Sequence, residues 1–298
     1  MKEHQTNLDR AIQFFLSNKS ELEQLNQLTG LQEFKDTIHQ ILSAQKRFII
    51  ARSRGRNIQP STFHMCFLGN PGTGKTEMSK LTAQILYRAG IVSKDTLTVA
   101  GRSSLVGDHV GETALKTKAL LKKASGGVLL IDEAYALMDD RSNSYGDEAI
   151  NTLVEELEKY RGNLVMILAG YPDKMAHLLD TNPGLQSRIP FTVHFPNYTT
   201  NQLCSIAEKM AEEDGYYFRE DVSEKLTEIL NNARKDPSFG NARYVRSLIE
   251  KAEATKSDRV DLTKLMTLSD DELFQLTPTE FQNLSSVRAC APQKKIGF

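Results

Sequence analysis

Short apolar runs alternate with longer amphipathic stretches through the first two thirds of the chain. The apolar runs predict five strands, at 63–68, 96–100, 128–131, 164–169 and 191–195. The stretches between them carry apolar residues three to four positions apart and predict helices near 75–88, 112–124 and 148–160. Strands alternating with helices in this way are typical of an α/β fold with a parallel sheet covered by helices.

The pattern changes after Pro196, where the strand signal stops and helices are predicted at 201–214, 220–233 and 241–254. At the other end, apolar positions in 1–27 recur at helical spacing, so one or two amphipathic helices are expected to pack on the body or on a partner. The predicted organisation is an N-terminal amphipathic helical segment, an α/β nucleotide-binding domain, a small helical domain and a C-terminal extension with a loose tail, over 1–27, 28–198, 199–257 and 258–298.

The composition of the 298-residue chain is that of an ordinary globular protein and excludes few functions. With 37 Lys and Arg against 38 Asp and Glu, the chain as a whole has no electrostatic preference for nucleic acid or an anionic membrane. The polar N-terminus, MKEHQTNLDR, and the lack of an apolar run of about 18 residues predict a cytoplasmic protein without membrane insertion. Cys66, Cys204 and Cys290 are too far apart to indicate a disulfide framework or a zinc site.

The string GNPGTGKT, from Gly69 to Thr76, follows one predicted strand and opens a predicted helix. This is the context that a phosphate-binding P-loop requires, because its glycines let successive N–H groups face the phosphates at a helix N-terminus. Lys75 is expected to reach the β- and γ-phosphates, and the Thr76 hydroxyl to coordinate magnesium. The predicted nucleotide-binding positions of the loop are Asn70, Pro71, Gly72, Thr73, Gly74, Lys75 and Thr76.

A second candidate motif, GVLLIDE, is an apolar strand that ends in two adjacent carboxylates, Asp132 and Glu133. A buried strand accommodates such residues at its carboxyl end, which is where ligands bind in open α/β sheets. We expect Asp132 to hold magnesium through water and Glu133 to polarise the water that attacks the γ-phosphate. An acid at position 133 predicts hydrolysis of ATP rather than binding alone.

Seven segments together resemble AAA+ ATPases, most closely the group that contains the red-type Rubisco activase and stage V sporulation protein K. They span about residues 25 to 255 in the sequence: LTGL, GNPGTGKT, LVGDHVGETALKTK, GGVLLIDEAYAL, LVMILAGY, NPGLQSRI and GNARYVRSLIEKA. The resemblance implies a P-loop NTPase sheet followed by an all-helical lid domain, with ATP and Mg2+ as cofactors. It also implies a homo-oligomeric ring, most often a hexamer, that uses ATP turnover to remodel a protein client.

The resemblance implies roles for four further residues. Gly30 and Leu31 would line the adenine pocket. Arg188, in LQSRI, matches the arginine finger that reaches the γ-phosphate bound by a neighbouring subunit, where a planar guanidinium suits the developing charge. Arg243, in GNAR, matches the sensor that reports nucleotide state from the helical domain, and Arg246 is a reserve candidate.

Two positions depart from the pattern of many AAA+ proteins. The fourth strand ends in Ala-Gly-Tyr at Tyr171, where many relatives have an asparagine that orients the attacking water. The first pore loop has His109 followed by Val110, where related motors place a larger aromatic residue, so the grip on a polypeptide is expected to be weaker. The polar segment 139–146 corresponds by position to a second pore loop.

Two other functions stay open on the sequence. One is a nucleotide-gated assembly scaffold that does no mechanical work, which the weaker pore loop favours. The other is a DNA-acting loader or branch-migration factor, which would need a basic face or an added DNA-binding module that this near-neutral chain does not show. No residue pattern identifies the client.

Overall fold

The structure is a computed structural model of the chain, and it describes residues 2–16, 20–109, 111–138, 145–260, 263 and 267–282. The chain divides into two compact units. The first comprises Met1–Gly69 and Lys75–Phe195, and the second comprises Asn70–Gly74 and Pro196–Phe298. The central residues of the predicted phosphate loop therefore belong to the second unit.

The first unit is built on a five-stranded sheet in which every pairing is parallel, with the spatial order β2-β3-β4-β1-β5. The three strands at the centre are apolar and buried along their whole length, as strands covered on both faces must be. Its strands are β1 (Met65–Gly69), β2 (Leu97–Ala100), β3 (Val128–Ile131), β4 (Val165–Gly170) and β5 (Phe191–Phe195). The predicted parallel sheet is confirmed, and β3 and β5 match their predicted bounds residue for residue.

Helices surround this sheet. The predicted helix at 148–160 begins three residues earlier and ends at Leu157, followed by a 3-10 turn at Glu158–Tyr160. A 22-residue helix before β1 has no counterpart in the sequence predictions. The helices are α1 (Lys2–Leu16), α2 (Ser20–Gln27), α3 (Gln32–Ser53), α4 (Lys75–Arg88), α5 (Arg102–Leu105), α6 (Glu112–Ala124), α7 (Tyr145–Leu157), α8 (Pro172–Thr181) and α9 (Pro183–Gln186).

The N-terminal segment packs on the body of the first unit, which is one of the two expected arrangements. Phe14 of α1 and Leu25 of α2 are buried in the same apolar cluster as residues of α3 and α4. The guanidinium of Arg10 lies 3.9 Å from the ring centroid of Tyr87, and its Nε donates to the Tyr87 carbonyl at 2.7 Å. The segment therefore contributes to the core of the α/β unit.

The second unit is helical with a small two-stranded addition. Its core is an apolar cluster on the facing sides of the long helices, with Leu226, Val245 and Phe281 among its buried members. Its elements are α10 (Thr200–Glu213), β6 (Tyr217–Phe218), α11 (Val222–Ala233), α12 (Ala242–Asp258), α13 (Asp270–Phe274) and β7 (Gln275–Leu276). The sequence predicted no strand here, because two-residue strands are too short to show period-two alternation.

In the described part of the chain, no helix is both long enough and apolar enough to cross a lipid bilayer. Cys66 is buried and Cys204 is half-buried, and both are free thiols. Cys290 lies outside the described residues.

A buried histidine lies directly before β1. His64 is 2% exposed, and its Nδ1 accepts a hydrogen bond from the Met166 N–H at 3.0 Å. Burial, aided by the positive charge of Arg161, lowers the pKa of His64 from its ordinary 6.5 to about 4. The folded protein therefore keeps this ring neutral at a pH at which the unfolded chain binds a proton.

His64→Asn is expected to make the stability of the protein less dependent on pH. Since the pKa of His64 is lowered in the folded state, its contribution is fully present above the unfolded pKa and is lost as pH falls from 6.5 toward 4. Between about pH 7.5 and about pH 5 the native ring should account for about 2 kcal/mol of lost stability by linkage. Urea unfolding of both proteins at both pH values measures the difference. If the variant lost as much stability between the two pH values as the wild type, His64 would not be the source of the pH dependence.

Candidate active site

The predicted phosphate loop connects the end of β1 to the start of α4, as the motif requires. Lys75 is the first residue of α4, and its Nζ donates to the Gly69 carbonyl at 2.7 Å. Its side chain thus bends back over the beginning of the loop. Thr76 follows as the second residue of α4 and is half-buried. The N–H groups of this first turn have no intrahelical acceptors, which favours an anion at this end of the helix.

The middle of the loop is held by residues of the second unit. Thr73 is fully buried; its hydroxyl donates to the Asn70 carbonyl at 2.8 Å, and its own carbonyl accepts from the Tyr198 hydroxyl at 3.1 Å. Gly72 has φ of +69°, and a Cβ there would lie 2.0 Å from the Gly240 carbonyl oxygen. A glycine at 72 is therefore required by the approach of residue 240 as well as by the backbone turn.

The two acids lie at the carboxyl end of β3, in the centre of the sheet. The Asp132 N–H donates to the Ala100 carbonyl at 2.8 Å, which continues the ladder between β2 and β3 by one residue. The Asp132 carboxylate accepts from the Glu133 N–H at 3.1 Å, and the Glu133 side chain is exposed. A cavity of about 490 Å³ opens beside both acids and is also lined by Arg102, Ser103 and Asp108.

Tyr135 lies beside Glu133, and Tyr171 and Lys174 pack against Tyr135. Of these three residues, only Tyr171 is a candidate on the sequence. The rings of Tyr135 and Tyr171 are 5.7 Å apart, and the ammonium of Lys174 lies 4.6 and 5.5 Å from their centroids. Burial raises the pKa of Tyr135, and the negative charge of Glu133 raises it further. A neutral phenol therefore faces the predicted catalytic acid.

Strained backbone conformations occur at or next to residues of the predicted site. Three non-glycine residues of the described chain have positive φ: Leu31 at 56°, Glu133 at 52° and Asn241 at 47°. Such conformations are unfavourable for residues with a Cβ and cluster at functional sites. Glu133 and Leu31 are predicted site residues, and Asn241 lies in the GNAR motif. Leu31 follows Gly30, also at positive φ, and its side chain is buried in the core of the first unit.

The structure places the three candidate arginines in different environments. Arg188 is half-buried; one guanidinium nitrogen donates to the Gly184 carbonyl at 2.9 Å, while its buried Nε has no partner among the described residues. Arg243, in the first turn of α12, is exposed, and within the described chain its side chain makes no hydrogen bond or ion pair. Arg246 is paired with Asp214 at 2.7 Å. Arg246 is thus engaged within the second unit, which favours Arg243 as the sensor.

The loop that precedes α6 presents His109 to solvent. The Glu112 carboxylate accepts from the N–H groups of Asp108 and His109, at 3.2 and 3.3 Å, and Gly107 donates to the Thr113 hydroxyl at 3.1 Å. The base of this loop is therefore fixed to the start of α6. Val110 lies outside the described residues, as do residues 139–144 of the predicted second pore loop.

Two family models match the chain in succession. Residues 65–197 match the ATPase family associated with various cellular activities (AAA), and residues 199–289 match the AAA lid domain. These matches bear out the predicted fold class.

Several proteins of known name are similar over most of their length. Stage V sporulation protein K of Bacillus subtilis is 37% identical over 263 residues, which cover 84% of this chain and 80% of that protein. Protein CbbX of Cereibacter sphaeroides is 37% identical over 268 residues, 86% of each chain. The chloroplastic ribulose bisphosphate carboxylase/oxygenase activase of Cyanidioschyzon merolae is 39% identical over 238 residues, 80% of this chain and 81% of the activase.

Solved structures share the fold at lower identity. The FIGL-1 AAA domain in complex with ADP has a TM-score of 0.59 and 17% identity, covering 89% of this chain and 84% of that domain. A RuvB mutant from Thermotoga maritima has a TM-score of 0.54 and 20% identity, and the match covers 84% of this chain and 74% of the RuvB chain. The predicted resemblance to the group of stage V sporulation protein K and the red-type activases is confirmed.

Proposed function

This chain belongs to the AAA family of ATPases, and we propose that it assembles into a closed ring of six subunits, the commonest ring size of the family, and remodels a protein client. Nucleotide binding and ATP hydrolysis are activities of the family. The observation that supports ATP hydrolysis, the step that would drive this remodelling, is Glu133, an exposed carboxylate held in a strained backbone conformation directly after Asp132. An acid so placed suits activation of water at a phosphate.

The residues present fit a nucleotide with magnesium. The Thr76 hydroxyl and the Asp132 carboxylate are hard oxygen donors, which Mg2+ prefers, and Mg2+ when bound would neutralise charge on the phosphates. Lys75 would exchange its bond to the Gly69 carbonyl for one to a phosphate oxygen. Glu133 would accept a proton from the attacking water, and the neutral phenol of Tyr135 would keep the carboxylate oriented. Gly30 and Leu31 would border the base.

Arg188 and Arg243 would supply positive charge to the nucleotide phosphates, in addition to the roles of the acids at 132 and 133. AAA proteins generally assemble into rings, and a finger from one subunit would complete the site of the next by a heterologous contact that closes. The incomplete hydrogen bonding of the Arg188 Nε supports an arginine that acts on a group beyond its own chain. Arg243, exposed and without a side-chain partner in the described residues, is suited to respond to bound nucleotide.

The client would be engaged through the loop that carries His109 and Val110. His109 is exposed while its backbone is tied to Glu112, so that a movement of α6 would be transmitted to the loop. Imidazole is smaller and more polar than a tyrosine ring, so we infer short pulls on a terminus or loop rather than processive threading. No nucleic acid is proposed as a partner, since the net charge of the chain is only −1.

Site-specific photo-crosslinking tests the client contact. A photoreactive residue at position 109, in the Glu133→Gln background with ATP, is expected to crosslink one client protein from the source cells. His39, an exposed histidine of α3, is the matched control position and should give no such adduct. The adduct should require ATP, and the purified client should change its activity only with the wild-type ATPase. Adducts confined to neighbouring subunits, with normal turnover and assembly, would instead indicate a nucleotide-gated scaffold.

A further inference from the structure

Asn241 has a backbone conformation that suits glycine, yet its side-chain amide is fully hydrogen-bonded. Its φ and ψ are 47° and −127°, and it is completely buried. Glycine adopts such a conformation without a steric penalty, whereas asparagine does not. The presence of asparagine therefore needs an explanation from its amide group.

That amide makes three hydrogen bonds. Its Oδ1 accepts from the Tyr198 N–H at 3.1 Å, and its Nδ2 donates to the Pro71 carbonyl at 3.2 Å and to the Asn197 Oδ1 at 3.0 Å. Both donors and the acceptor of the amide are thus satisfied in a buried setting, where an unpaired polar group would be costly. Aspartate could not donate the last two bonds, and glycine could make none of the three.

These bonds connect the phosphate loop to the first turn of α12. Besides the bond from Asn241 to Pro71, the Ala242 N–H donates to the Gly72 carbonyl at 3.0 Å. The Asn197 side chain accepts from the Asn70 amide as well, at 3.0 Å. Consecutive loop residues are therefore bonded to the turn that leads directly into Arg243, and the missing side chain of Gly72 is what allows the approach.

We propose that Asn241 is a positioning residue that fastens the first turn of α12, and with it Arg243, to the phosphate loop. A nucleotide that alters the loop then acts on Arg243 through the Asn241 amide. This inference rests on the proposed assignment of ATP to the loop and of the sensor role to Arg243, but it does not depend on any client.

Steady-state ATP turnover of the full chain tests the proposal, using Asn241→Gly, Asn197→Ala and Arg243→Ala with the corresponding double variants. Asn241→Gly fits the native backbone and removes only the amide. We expect it to lower kcat about tenfold, comparable to a coupling between sites of typical strength, with a smaller effect on KM. In the Arg243→Ala background, Asn241→Gly should lower kcat no further, because Asn241 acts on turnover only through Arg243. Asn232→Ala, at an exposed position of α11, is the matched control.

Amide hydrogen exchange of the nucleotide-free protein provides a second readout. The Tyr198 and Ala242 N–H groups should be protected in the wild type and lose protection in Asn241→Gly. Wild-type kcat in Asn241→Gly, or a loss fully additive with that of Arg243→Ala, would overturn the inference. If Asn241→Gly does not fold, Asn197→Ala, which removes one hydrogen-bond acceptor of the Asn241 amide, is tested instead. It should also lower kcat, and it should lower kcat no further in the Arg243→Ala background. A protein that shows this kinetic pattern but engages no client would contradict the proposed function and leave the inference standing.

Discussion

Glu133→Gln is expected to bind ATP and to assemble with it, while its turnover falls by at least about a hundredfold, the usual contribution of a general base. Glutamine occupies nearly the same volume but cannot accept the proton of the attacking water. Because Asp132, Thr76 and Lys75 are unchanged, ATP affinity should be kept. The measurements are phosphate release, binding of a fluorescent ATP analogue, and oligomer mass with and without ATP.

The matched control for this experiment is Glu155→Gln, at an exposed position of α7. It should keep wild-type turnover. Near-wild-type turnover in Glu133→Gln would show that another group activates the water. If the wild-type protein binds ATP but neither hydrolyses it nor assembles, this result would contradict the proposed motor function and would instead indicate a nucleotide-dependent switch.

Arg188→Ala is expected to lower turnover by about a thousandfold, the lower end of the range for arginine fingers. If the finger acts on the neighbouring subunit, mixing two inactive proteins should restore part of the activity. In a mixed ring, a Glu133→Gln subunit keeps Arg188 and can complete the intact acid site of an Arg188→Ala neighbour. Turnover is measured as a function of the mixing ratio at constant total protein.

Arg47→Ala, at an exposed position of α3, serves as the matched control and should behave as the wild type. Wild-type hydrolysis by Arg188→Ala together with ATP-dependent assembly would show that the site is not shared between subunits. Loss of activity that mixing does not restore would place the role of Arg188 within its own chain.

Much of the fold could be predicted because its signals are local. The strands β3 and β5 were predicted at their observed bounds, since each is a short run with a clear change of polarity at both ends. The helix α3 was missed although its buried residues recur three to four positions apart, at Phe34, Ile38, Ile41, Gln45 and Ile49, which is a helical pattern. The strands β6 and β7 are too short for any periodicity.

The sequence by itself determined the phosphate loop, the acid pair after β3 and the family, because each is a contiguous string whose spacing follows from covalent geometry. Only the tertiary structure decided that Arg246 is engaged with Asp214 while Arg243 is not. It also decided that Tyr135 faces Glu133, and that the Asn241 amide meets Pro71, 170 residues away along the chain. Contacts of this kind depend on how separate segments pack, and no local repeat of apolar and polar residues specifies them.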